Sequence, residues 1–408
     1  MLASVCNKTI TGNANVSNGK RSLVVRSAQD RLGAHLSPVG PRRVIKASTR
    51  TAASYRRNSV RVGRRASVVF ASAADSEVEV VTLGEALFDL LADQMGKPRA
   101  EVESWSPFPG GAPTNVACAL AQLGVRVALF SALGKDDLGD QLEELLRSRG
   151  VDLSGCPRIE HPTRGVFVER KLDGDRVFAG FAESMDTYAD CFIDAKALPM
   201  EKISGASAVV TGTLGLAYPV TRATMEAFVD KAKAAGALVL VDANWRPMFW
   251  PNPDEAKPII EAYIAKADLL KITDEEAEWL FGIDPKEALE RPSLVLDKLD
   301  SAKGVLVTAG EKGAAYCIKT PGKSTAEGFV PGIEVEVEDT TGAGDAFTAG
   351  FLAYTIKAGG LDKLQENPDD MLAATKYGAA TGALTCARKG AIGSQPTMDE
   401  VENMLQKI

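Results

Sequence analysis

Gly342, Ala343 and Gly344, three residues with almost no side chain, stand in the run Asp339-Thr340-Thr341-Gly342-Ala343-Gly344-Asp345-Ala346-Phe347. Phe347, Gly350, Phe351 and Tyr354 recur behind them at helical spacing, which predicts a helix over Ala343–Ile356. Small residues at a helix start leave backbone N–H groups unobstructed, and those groups together with the helix dipole favour an anion. Asp345 falls in that first turn. A carboxylate there can be an N-terminal cap that complements the dipole, or a base beside a bound anion. The rest of the chain has to decide between them.

Imidazole chemistry is a poor alternative, because beyond the N-terminal region only His161 remains, next to Pro162 in a loop. That leaves a carboxylate as the candidate base and argues against a His-rich metal site. Cys118, Cys156, Cys191, Cys317 and Cys386 are scattered with no Cys-x-x-Cys, so they read as reduced, mostly buried thiols. Two further clusters could bind a ligand. One is Gly110-Gly111-Ala112-Pro113-Thr114-Asn115, ahead of an Ala-rich helix over Val116–Leu123, and the other is Asp242-Ala243-Asn244-Trp245-Arg246-Pro247, after the continuously apolar Leu238–Val241. Open parallel sheets place their ligands at such strand ends.

The elements that must position these clusters alternate. Strands are predicted at Val78–Gly84, Val125–Ala132, Ala208–Thr211, Leu238–Val241, Leu269–Ile272, Gly304–Thr308 and Ala314–Lys319. Helices are predicted at Asp137–Arg149, Val220–Ala235, Pro253–Ala265, Asp274–Phe281 and Asp369–Ala387. This alternation implies a doubly wound α/β fold, a mostly parallel sheet flanked by helices. Gly165–Lys171 and Arg176–Phe181, joined by Asp173-Gly174, predict an inserted hairpin, a small β lid over one edge. Ile333–Val337 reads as a β-rich approach to the Asp339 stretch.

Charge divides the chain. Residues 1–74 hold 14 basic side chains and one acid, Asp30 (+13), while the remainder holds 33 basic and 53 acidic side chains (−20), giving the net −7. An Arg- and Ser-rich, acid-poor leader on an acidic body reads as a transit peptide without fixed structure over residues 1–72. A nucleic-acid-binding arm is the competing reading, and the acidic body argues against direct nucleic-acid contact. Val69-Phe70-Ala71-Ser72 resembles a stromal processing site and Ile45-Lys46-Ala47-Ser48 is a second candidate. The chloroplast stroma is the expected destination, with the mitochondrion as alternative. No apolar run of membrane-spanning length occurs.

The Walker motif, the dinucleotide fingerprint and the protein-kinase motifs are all absent. What remains is the pair Gly110–Asn115 and Asp339–Asp345, some 230 residues apart on an α/β chain with a hairpin insertion. From about Val78 to the C-terminus the chain resembles the ribokinase, or PfkB, family of carbohydrate kinases, and within it a plastid or cyanobacterial-type fructokinase. The resemblance implies a ribokinase-like domain over 73–408, with lid insertions at roughly 100–108 and 160–190. It implies ATP-dependent phosphorylation of a sugar hydroxyl, foremost fructose to fructose 6-phosphate, with Mg²⁺ and potentially K⁺. The alternatives are a kinase for another sugar or a nucleoside, and a silent kinase-like subunit of a plastid assembly. A small-molecule sugar and ATP are the expected partners, and a homodimer is compatible.

By the same resemblance Asp345 is the base, and Gly342, Ala343 and Gly344 form an anion hole, where losing one donor costs about 10² to 10³ in rate. Asp89 would accept hydrogen bonds from sugar hydroxyls, with Gly110, Gly111 and Asn115 as the substrate-contacting turn. Asn244 and Arg246 match a fructokinase Asp-Pro-Asn-Leu-Arg run, completed here by Trp250-Pro251, and Arg246 suits phosphate. Glu276 falls at the acid of an Asn-x-x-Glu motif that organises Mg²⁺ through water, with Thr273 replacing the Asn. Thr308, Gly310 and Gly313 match the nucleotide-side loop, and Asp339 and Thr341, with Gly390 and Ser394, match a monovalent-cation site. The lid departs from the plant cytosolic pattern, since Gly180–Asp190 lacks the Arg of Arg-Asn-Pro-Ser-Ala-Asp and so bears on which sugar is taken.

Overall fold

A computed structural model describes residues 78–172, 176–322 and 324–408. The leader with both processing sequences, and the hairpin turn Asp173-Gly174, lie outside the described residues.

The strand Leu238–Asp242 shows how the sheet is built. Val239 and Val241 enter one buried cluster, with Val81, Leu83, Val209, Leu270, Ile272, Val305 and Val307. Leu240, one residue out of phase, enters a second cluster with Val80, Val210, Leu269 and Leu306. Alternate residues point to opposite faces of a strand, so continuous apolar strands mean a sheet covered on both sides. The sheet has nine strands, in the order Ala326–Pro331, Gly313–Ile318, Gly304–Thr308, Leu269–Thr273, Leu238–Asp242, Ala208–Thr211, Val80–Leu83, Val127–Phe130 and Asp152–Gly155. All neighbours pair in parallel except the two pairings that involve Gly313–Ile318. From Val80–Leu83 the chain winds outward to Asp152–Gly155, then returns to Ala208–Thr211 on the other side. The strand order reverses there, and a crevice opens at the carboxyl ends of the two strands.

A separate four-stranded sheet, ordered Trp105–Gly110, Leu87–Ala92, Arg164–Arg170 and Arg176–Phe181, forms the lid. Leu87–Ala92 is not among the strands that the sequence pattern predicts. Its sequence Leu-Phe-Asp-Leu-Leu-Ala has no clean alternation, so the lid strand was invisible in the pattern. Asp89 sits in this strand. Ile333–Val337, although it alternates, pairs with nothing in the sheet, and the edge strand is the preceding Ala326–Pro331.

The helix that starts at Ala343 runs to Lys357 and packs on the helix Pro368–Cys386. Glycines let the two approach. A Cβ on Gly350 would stand 2.3 Å from Thr381 Oγ1, and one on Gly378 would stand 2.8 Å from the Phe347 carbonyl oxygen. Contacts that short cannot be met without displacing the helix. Its N-terminus is thereby fixed over the crevice.

Candidate active site

Gly342 precedes that helix in the left-handed region (φ 78°), and a Cβ there would lie 2.7 Å from Ala391 Cβ. Only glycine fits the turn. The Ala343 N–H donates to the Thr340 carbonyl at 3.3 Å and the Ala346 N–H to the Gly342 carbonyl at 2.8 Å. Between them, the N–H groups of Gly344 and Asp345 meet no backbone acceptor among the described residues. Asp345 lies in the same turn and accepts 2.8 Å from Asn115 Nδ2 at Oδ2. Asn115, in the helix Ala112–Gln122, is buried, and Gln395 Nε2 donates 2.8 Å to its carbonyl. Burial pushes the Asp345 carboxyl up to about 6; the Asn115 bond opposes this, the charge of Asp242 adds to it, and Lys271 and Arg246 oppose it further. Such a carboxylate is charged near neutrality yet basic enough to take a proton.

Beneath the turn, Lys271 Nζ donates 2.7 Å to Asp242 Oδ2, a buried ion pair between adjacent parallel strands. The ammonium stands 3.4 Å from the position a Gly344 Cβ would take. Asp242, Glu276 and Asp345 thus face Lys271 and Arg246, and both Glu276 and Asp345 are raised toward their neutral forms. Three carboxylates against two cations leave the site short of positive charge. Among the described residues no group of three or more His, Cys, Asp or Glu could cage a metal. This donor set suits a hydrated Mg²⁺ that takes its remaining ligands from phosphate oxygens.

Glu276 does local work as well. Its Oε2 accepts from the Thr273 N–H at 2.9 Å while Thr273 Oγ1 accepts from the Glu276 N–H, a capping box on the helix Asp274–Phe281. Its Oε1 accepts from the Trp245 N–H at 2.6 Å. Thr273, standing where the motif has Asn, is the cap. The Glu276 bond fixes the backbone between Asn244 and Arg246, and Trp245 stacks on Trp279 with centroids 4.3 Å apart. Asn244 is the one non-glycine residue at positive φ (38°) among the described residues, a conformation that asparagine tolerates.

On the lid side, a Cβ on Gly110 would stand 3.7 Å from Asp89 Oδ2, so the glycine leaves Asp89 uncovered. Gly111 (φ 103°) passes so close to Glu85 that a Cβ would stand 2.4 Å from its carbonyl oxygen. Glu85 holds the turn, accepting 2.8 Å from the Ala112 N–H at Oε1 and 2.8 Å from Thr114 Oγ1 at its carbonyl. Burial raises the Glu85 carboxyl to about 7 and the Asp89 carboxyl to about 6, the latter opposed by Arg176. Behind the lid, Arg164 is fully buried, bonded at 2.7 Å to each oxygen of Asp190 among the rings of Phe181, Tyr188, Tyr218 and Phe249. The Gly180–Asp190 segment has no arginine of its own, but it encloses this guanidinium.

Asp89, Gly110, Gly111, Asn115, Asn244, Arg246, Glu276 and Gly342 to Asp345 therefore gather around one crevice. Thr308, Gly310 and Gly313 form the tight turn beyond the strand Gly304–Thr308, where the Ala309 N–H donates 2.9 Å to the Gly313 carbonyl. Lys312 Nζ, 3.0 Å from Asp274 Oδ2, ties that turn to the start of the helix that Thr273 and Glu276 cap. The proposed monovalent-cation ligands are otherwise engaged. Asp339 Oδ1 accepts from the Thr341 N–H and Oγ1, and Oδ2 accepts from the Gly390 N–H and Arg176 Nη2. Ser394 Oγ donates to the Gly390 and Ala391 carbonyls. As they stand, these side chains do not fit a monovalent cation. Asp242 is visible in sequence only as the first residue of the Asp242–Pro247 cluster, and Lys271, Glu85 and Arg176 are not singled out by any motif. A lysine inside the apolar Leu-Leu-Lys-Ile-Thr run was the one available signal.

Residues 78–398 match the family model described as pfkB family carbohydrate kinase. The chain is 35% identical to a maize fructokinase, fructokinase-2, over 329 residues, 80% of this chain and 94% of that one. It superposes on a Xylella fastidiosa fructokinase structure with bound ATP, at TM-score 0.71 and 29% identity, covering 81% of this chain and 99% of that one. A Vibrio cholerae fructokinase structure holding fructose, ADP and potassium matches at TM-score 0.67 and 28% identity, covering 81% and 99%.

With Asp345 and Asp89 raised to about 6 and Glu85 to about 7, turnover should fall as pH drops through the window from about 7 to 6, well above the usual carboxylate range. A profile of kcat/KM against pH measures this. Activity that stays flat down to pH 5 contradicts the assignment.

Proposed function

Taking as premise that the chain belongs to the pfkB family of carbohydrate kinases, we propose that it transfers the γ-phosphoryl group of ATP to fructose, forming fructose 6-phosphate. The observation that carries this reading is Asp345, half-buried in the first turn of a helix whose N–H groups can bind an anion and bonded to Asn115 of the Gly110–Asn115 turn. The names of the maize and bacterial relatives support fructose as the acceptor.

A sugar hydroxyl is far too weakly acidic to ionise at neutral pH, so its attack on phosphorus needs a base positioned to receive the proton. Asp345 takes that proton, and the Asn115 bond orients its carboxylate. Negative charge gathering on the phosphoryl oxygens meets the N–H groups of the Gly342–Gly344 turn, where Gly344 offers a donor without a backbone acceptor among the described residues and Ala343 turns its N–H from the Thr340 carbonyl to the phosphate, with Arg246 nearby. Lys271, held by Asp242, adds positive charge under the same turn. Glu276 would organise the water shell of Mg²⁺, which when bound neutralises phosphate charge. Asp89 accepts hydrogen bonds from the sugar hydroxyls, and the lid strands around it exclude water that would otherwise hydrolyse ATP. Thr308, Gly310 and Gly313 receive the nucleotide side.

The reading is tested with protein lacking residues 1–72, supplied with Mg-ATP and a panel of hexoses, pentoses and nucleosides, following ADP. Fructose should give the highest kcat/KM. Faster turnover on another acceptor removes fructose but keeps the kinase, and bound ATP with no turnover on any acceptor supports the silent-subunit alternative. We further propose, from the +13 leader alone, that the protein acts in the chloroplast stroma. Residues 1–72 fused to a fluorescent protein should direct it there. Cytosolic or mitochondrial fluorescence overturns that destination.

A further inference from the structure

Arg176 begins the lid strand Arg176–Phe181, yet its guanidinium reaches out of the lid. Nη2 donates 2.7 Å to Asp339 Oδ2 and Nη1 donates 2.8 Å to Thr341 Oγ1. Asp339 is buried, and the Arg176 side chain is only 25% exposed. A two-pronged guanidinium contact of this kind is directional and differs from an exposed ion pair of little consequence. The same carboxylate collects other segments. Oδ1 accepts from the Thr341 N–H at 3.0 Å and from Thr341 Oγ1 at 2.7 Å, and Oδ2 accepts from the Gly390 N–H at 2.9 Å. One acid therefore joins the lid edge, the approach to the Ala343 helix and the turn after the helix Pro368–Cys386.

The chemistry lies one residue further on. Thr341 precedes Gly342, whose left-handed conformation aims the N–H groups of the anion hole. Anything that sets Thr341 sets that turn. Asp89, in the lid strand that carries the sugar-binding carboxylate, also feels the charge of Arg176. Sugar contact, lid position and anion-hole geometry thus converge on one guanidinium.

We propose that Arg176 is the latch of the lid, a positioning residue that docks on Asp339 and Thr341 when the lid covers the sugar and thereby sets the Gly342–Asp345 turn for phosphoryl transfer. This deepens the kinase reading and rests on it. The latch also supplies the positive charge facing Asp339, where the resemblance would put a monovalent ion.

The test compares the full-length chain with Arg176→Ala and Arg176→Lys, measuring kcat, both KM values, ADP formed per sugar phosphate, and backbone hydrogen exchange. A loss of positioning of this kind costs on the order of tenfold to a hundredfold in rate. Arg176→Ala should therefore lower kcat by about tenfold or more. It should also raise KM for the sugar, spare KM for ATP, release ADP in excess of sugar phosphate, and speed exchange at Thr340–Asp345 but not at Leu238–Asp242. Arg176→Lys keeps the charge without the fork, so it should fall between the two. An alanine variant with wild-type kcat and unchanged exchange at Thr340–Asp345 overturns the latch. If the wild type turns over no sugar, the kinase reading fails first and the exchange comparison alone decides the latch, with unchanged exchange refuting it.

Discussion

The site depends on keeping a carboxylate where an anion must also bind. A helix N-terminus attracts negative charge, and Asp345 already occupies the first turn of one. Placing phosphate beside it costs Coulomb energy unless positive charge is near. Lys271 and Arg246 provide that charge, while Asp242 bonds Lys271, Glu276 bonds the Trp245 N–H beside Arg246, and the three carboxylates leave the cluster one positive charge short. Burial raises the Asp345 carboxyl, the charge of Asp242 adds to it, and the shortage of positive charge around them suits a hydrated divalent cation brought with a nucleotide. The electrostatics of the site and its suitability for a divalent cation are consequences of one arrangement of charges.

Backbone geometry keeps the arrangement in register. Gly342 meets Ala391, Gly350 meets Thr381 and Gly111 meets the Glu85 carbonyl, each at a distance that admits no Cβ. Together these contacts press the Ala343 helix, the Ala112 helix and the end of the first strand around one crevice. Asn115 then reaches Asp345 across 230 residues of sequence. The lid is tied in at two ends, by Arg164 on Asp190 behind the crevice and by Arg176 on Asp339 at its margin.

What could be read from the sequence follows from how local each signal is. The α/β alternation was legible because buried parallel strands are continuous apolar runs, and the strands Ala208–Thr211 and Gly304–Thr308 end where the pattern predicts. The crevice glycines and Asp345 were legible through two short motifs. Leu87–Ala92 was not, since it lacks alternation, and Ile333–Val337 misled because alternation without a neighbouring strand makes no sheet. Arg176, Glu85 and Lys271 owe their roles to partners 163, 27 and 29 residues away. No spacing rule marks such pairs. Glu276 was found as an acid, but its bonds to the Thr273 and Trp245 N–H groups appear only in three dimensions.

The central claim is that Asp345 takes the proton of the attacking hydroxyl, and one substitution addresses it with little change in shape. Asp345→Asn keeps an oxygen for the Asn115 N–H but cannot accept a proton at neutral pH. Single-turnover phosphoryl transfer from Mg-ATP to the best acceptor, measured beside ATP affinity, is the direct readout. We predict a rate lower by at least about 10², the scale of general-base catalysis, with ATP affinity within a few-fold of the wild type. Near-normal transfer in the asparagine variant would contradict the account.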